Sequence, residues 1–82
     1  MKTLSKAFAD RLMELLIKHE MSKYRLQKET GLSHNTLIDI FKDNRQKDVK
    51  LSTIAKVANA FGISLGEFLT SDHFDLNNID YE

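Results

Sequence analysis

The chain has 82 residues, 41% hydrophobic and 29% charged, with no cysteine and no proline. That composition describes one small globular domain, without room for a second core and without disulfides or cysteine-ligated metal. The formal charge is zero but unevenly laid out: residues 1–70 carry all 12 Lys and Arg against 8 acids, whereas 71–82 hold Asp72, Asp75, Asp80 and Glu82 and no base.

The first element is a helix over about 5–20, because Phe8, Leu12, Leu15, Leu16 and His19 recur at three- and four-residue intervals on one face. Met13 and Ile17 lie four apart beside that stripe, as a candidate exposed apolar strip. Met21-Ser22 then opens a short helix over about 23–30. The serine suits the N-cap, and the residue before it can pack on Leu26 four positions into the helix. Gly31 suits the left-handed residue that ends this helix. Leu32-Ser33 repeats the same opening with Leu37, for a helix over about 34–42. Asp43 to Lys50 is polar and reads as a loop. Leu51, Ile54, Ala58 and Phe61 mark a helix over about 51–61, stopped at Gly62. Ile63-Ser64, with Glu67 completing a capping box and Phe68 the apolar pair, opens the fifth helix over about 65–70. No segment shows the strict alternation of a half-buried strand. The expected core is Leu12, Leu16, Leu26, Leu37, Ile40, Phe41, Ile54, Ala58, Phe61 and Phe68, in an all-helical domain over about 5–70. Residues 71–82 form an acidic C-terminal tail punctuated by Phe74, Leu76, Ile79 and Tyr81.

The two short helices joined by Gly31-Leu32-Ser33 carry the strongest functional signal. A three- to four-residue turn containing glycine is the joint of the helix-turn-helix unit. In the second of these helices Leu37, Ile40 and Phe41 share an inward face, which leaves His34, Asn35, Ile38, Asp39 and Lys42 outward. A helix anchored on one side and carrying short groups on the other suits a major groove about 12 Å wide. Residues 21–50 also hold seven bases against four acids. That excess suits a polyanion only weakly, since ordinary scatter produces it as readily.

Ser22 to Lys42 resembles the helix-turn-helix of the Cro and phage-repressor type, an XRE-like family, and Leu51 to Leu69 resembles that family's fourth and fifth helices. The likeness covers about residues 5–70. It implies an all-α, compact five-helix, lambda-repressor-like DNA-binding domain over 1–70, with the helix-turn-helix at helices 2 and 3. It implies a sequence-specific transcription regulator, a repressor type in keeping with Cro, working as a homodimer on double-stranded DNA. By the same likeness Ser22 and Lys23 meet a phosphate, Ser33 caps the recognition helix beside the backbone, and His34 and Asn35 take the leading base-reading positions, with Thr36 beside them among the DNA-binding residues. Asn35 can pair with adenine, Ile38 can meet a thymine methyl, and Asp39 can accept from cytosine. Lys42, Asn44 and Arg45, with Lys47 and Lys50, grip the backbone beyond. The chain departs from the family pattern at Gln27, where a small residue such as Ala is common, and in a less basic recognition helix.

Other chemistry finds little footing. His19, His34 and His73 lack ligand spacing, and His19 edges the core instead. Ser71-Asp72-His73 are triad residue types, but adjacent side chains cannot converge as a triad does. There is no glycine-rich phosphate loop, so no catalysis, cofactor, metal or small-molecule ligand is expected. The longest apolar runs, such as Leu15-Leu16-Ile17, fall far short of the ~18 residues of a membrane span or of a signal core. A cytoplasmic protein of bacterial or phage origin is expected, with no membrane partner. The alternative reading is a protein-interaction module on the same fold, using the Met13–Ile17 strip or the acidic tail.

Overall fold

The computed structural model describes residues 2–42, 49–75 and 79–80. Five helices follow in order: α1 (Leu4–Lys18), α2 (Lys23–Thr30), α3 (His34–Phe41), α4 (Leu51–Ala60) and α5 (Leu65–Leu69). Each lies within two residues of its expected bounds. A 3₁₀ turn, Asp72–Phe74, comes after them.

The starts of α2, α3 and α5 follow from single serine hydroxyls, whereas Lys50 opens α4 with no side-chain bond. Ser22 Oγ accepts from the Arg25 N–H at 3.0 Å, Ser33 Oγ from Thr36 at 3.1 Å, and Ser64 Oγ from Glu67 at 3.1 Å. The Glu67 carboxylate accepts from the Ser64 N–H in return, so the capping box at α5 is complete. Met21, Leu32 and Ile63, the residues before each cap, are half-buried against the core, as a staple requires. The stops are equally local. Gly31 at φ 74° and Gly62 at φ 71° hold the left-handed conformation that glycine adopts without a Cβ penalty. Glu20, just past α1, is left-handed too, at φ 52°. The Met21 N–H donates back to the Leu16 carbonyl at 2.9 Å there, a bond that closes a helix end, although no glycine marks the position.

Phe8, Leu12, Leu26, Val57 and Phe68 are the largest fully buried side chains. Each such residue contributes about 1.5–3 kcal/mol through burial. Eight of the ten expected core residues are buried; Phe41 and Ile54 are half-buried and packed against the rest. Ala7, Phe8, Ala9, Leu15 and Val57 complete the core beyond that expectation. α1 runs through the middle, with α3 and the 3₁₀ turn packed on it, while α4 packs on α2 and α5. His19 is exposed, with its ring 5.2 Å from that of Phe61 at the core's edge.

Two features have no counterpart in the helical reading. Lys2–Thr3 (β1) pairs in parallel with Ile79–Asp80 (β2), Lys2 beside Ile79 and Thr3 beside Asp80. The 3₁₀ turn sets the Phe74 ring 6.3 Å from that of Phe68. The described part of the acidic segment thus lies against its own domain. The class remains all-α.

Candidate functional site

The interhelical turn is built from its own short-range bonds. Thr30 Oγ1 donates to the Leu26 carbonyl at 2.8 Å and accepts from the Leu32 N–H at 3.2 Å, bridging the end of α2 to the turn. Gly31 reverses the chain, and Leu32 enters the core's edge. α3 then starts at the Ser33 cap, with Leu37 and Ile40 buried at 5% and 6% exposure. Two anchors one turn apart fix the helix's rotation about its axis, so the opposite face is determined as well.

On that face His34, Asn35 and Lys42 are exposed, and Ile38 and Asp39 half-buried. Thr36 turns its hydroxyl to Ser33, 2.8 Å away, and so belongs to the cap. At the start of α2, Ser22 and Lys23 are exposed. Lys50 is exposed before α4. Asn44, Arg45 and Lys47 lie outside the described residues.

Between α2 and α3 runs an open groove of about 370 Å³. Lys23, Tyr24 and Gln27 line its α2 side, and Ile38, Phe41 and Lys42 its α3 side. The Lys23 ammonium sits 4.2 Å from the centroid of the Phe41 ring, over its face. Tyr24 is 66% exposed, with the Lys28 ammonium 4.8 Å from its ring centroid. Sequence reasoning assigned neither Tyr24 nor Phe41 to the site. The helical period puts Phe41 on the inward face, and only the proximity of the two helices opens its ring toward Lys23.

Away from this face, Arg11 joins α1 to α5. Its guanidinium donates to the carbonyls of Phe68 at 2.9 Å and Glu67 at 3.0 Å, and pairs with Glu14. His73 Nε2 lies 3.4 Å from the other Glu14 oxygen. The Arg11 hydrogen bond, helped by His73, holds the Glu14 carboxyl below the usual carboxylate range, against a smaller opposing effect of burial. Met13 and Ile17 are 36% and 72% exposed, so the side strip on α1 faces outward. Among the described residues no three His, Asp or Glu gather as metal ligands, and no helix is long and apolar enough to cross a membrane.

A family model described as the Cro/C1-type HTH DNA-binding domain matches residues 11–72, which span all of α2 to α5 and most of α1. Among solved structures the chain is similar to prophage Lp1 protein 11, known from a crystal structure. The two are 29% identical with a TM-score of 0.82, over 92% of this chain and 97% of that one. No curated protein matches the chain.

Proposed function

The chain belongs to the Cro/C1-type helix-turn-helix DNA-binding domains, and from that premise we propose that it is a sequence-specific regulator whose α3 enters the major groove of double-stranded DNA. The carrying observation is the fixed rotation of α3: Leu37 and Ile40 are buried while His34, Asn35 and Lys42 stand in solvent on the other side. In this reading His34 and Asn35 read base edges, Asn35 being able to bond adenine N6 and N7 together, and Ile38 meets a thymine methyl. Asp39 accepts from cytosine N4, and Lys42 closes the helix on a phosphate.

Gripping falls to the ends of the helices. α2 and α3 each start with free backbone N–H groups beyond the one that their serine cap satisfies, and such ends favour anions. Ser22, Lys23 and Ser33 border them, with Thr36 holding the Ser33 cap, and Asn44 and Arg45 extend the grip after α3. Residues 1–70 carry DNA binding, and the acidic 71–82 segment is an appendage to it. One module of this kind buries only about 600–1,000 Å² on DNA, so the working unit is a homodimer on paired half-sites. Such a protein acts in the cytoplasm of a bacterium or from a phage genome, consistent with its likeness to a prophage protein.

Selection of bound sequences from a random duplex library, at two salt concentrations, tests the reading. A recurring motif, bound more weakly at high salt, is expected. Binding that rises with salt or recovers no motif overturns sequence-specific recognition.

A further inference from the structure

The groove between α2 and α3 is mostly apolar on a face otherwise made of polar readers. Ile38 and Phe41 form its α3 wall and Tyr24 rises from α2, while Lys23 and Lys42 stand at its edges and, among the described residues, no carboxylate lines it. An apolar floor between two ammonium groups suits an occupant that is apolar at its centre and anionic at its margins. Duplex DNA offers that combination at one place. The thymine 5-methyl is the apolar group on the major-groove edge of the base pairs, and phosphates run on either side of it. The Lys23 ammonium, held over the Phe41 ring, stays at the groove's mouth, where a phosphate next to a seated methyl would meet it.

Resting on the DNA-binding reading above, we propose that this groove is a thymine-methyl reader, with Tyr24, Ile38 and Phe41 as specificity-determining residues. The preferred duplex is then marked by methyl groups as well as by hydrogen-bond patterns. α2, which otherwise grips phosphate at its N-terminus, takes part in reading through Tyr24.

The test compares the best duplex recovered from the random library with copies carrying dU for dT, one position at a time, at a single salt concentration. Uracil keeps every hydrogen-bonding group of thymine and lacks only the methyl. About fourfold weaker binding is expected for each seated methyl, equivalent to ~0.8 kcal/mol for one buried methyl-sized group. Tyr24→Ala and Ile38→Ala, whose folding is checked by circular dichroism, should bring the dT/dU ratio toward one. Equal binding of dT and dU duplexes at every position overturns the inference, together with the Ile38–methyl contact, and leaves sequence-specific DNA binding standing. A dT/dU ratio unchanged in both variants overturns the assignment to this groove. Failure to bind any duplex above random sequence brings down both.

Discussion

Asn35 and Lys23 are both exposed, and their removal is expected to have different signatures. Asn35→Ala should cost about 1–3 kcal/mol on the selected site and relax preference at one base position. Lys23→Ala should weaken binding to all sequences alike and lower the slope of log affinity against log salt by about one. Titrations of each variant against a selected and a scrambled duplex, at several salt concentrations, separate the two. A Lys23→Ala protein with altered base preference and an unchanged salt slope would reverse the assigned roles. Two glycines show a similar contrast for stability. A Cβ at Gly31 would meet nothing within 4 Å, yet φ there is +74°, so Gly31→Ala carries a purely conformational cost of about 1–2 kcal/mol. Gly66 lies within α5, where the nearest atom to a new Cβ is Ser64 Oγ at 3.9 Å. Gly66→Ala should therefore stabilise by about 0.5–1 kcal/mol, since alanine loses less backbone entropy on entering a helix. Urea unfolding of the two variants should shift the midpoint in opposite directions.

At the scale of elements, α1 and α5 are held together by more than apolar packing. Arg11 reaches the last carbonyls of α5, where a cation complements the helix dipole, and positions Glu14 to receive His73 from the 3₁₀ turn. Because the folded Glu14 carboxyl titrates below its unfolded value, its contribution is complete above the usual value of about 4.3. It is lost as pH falls through the lower folded value. The Glu14 side chain is 48% exposed, so the effect is a fraction of ~1 kcal/mol. Thermal melts from pH 6 to pH 3 should show a steeper acid loss in the wild type than in Glu14→Gln. Parallel curves for the two proteins would show that the Arg11–Glu14–His73 set contributes nothing.

For the whole molecule, the arithmetic of recognition favours two copies. The protein measures 33 × 24 × 21 Å, which lets two copies sit side by side on half-sites about 34 Å apart. The apolar residues after α3 are candidates for the contact between copies, and they differ in exposure. Phe68 is fully buried inside its own domain, so it is not available to a partner, whereas Phe74 packs against it half-buried. Leu69, 36% exposed, remains at that surface. Sedimentation across micromolar concentrations, with and without the selected duplex, should show two chains per duplex. One chain binding a lone half-site at full affinity would exclude the dimer.

The limits of α2, α3 and α5, their serine caps, the two glycine stops and the buried face of α3 were legible in the sequence, for one physical reason. Ser22, Ser33, Ser64, Gly31 and Gly62 act within four residues of themselves, and the burial of Leu37 and Ile40 follows from helical period alone. What tertiary structure decided involves residues far apart in the chain. The β1–β2 pairing joins the second residue to the seventy-ninth, and two-residue strands leave no periodicity to read. Arg11 bonds carbonyls 56 and 57 residues away, and a backbone carbonyl has no signature in sequence. The apolar groove arises because α2 and α3, each patterned for the core, set Tyr24 and Phe41 beside one another only when they pack. Local chemistry determined where each helix begins, ends and faces; the docking of helices on one another determined what lies between them.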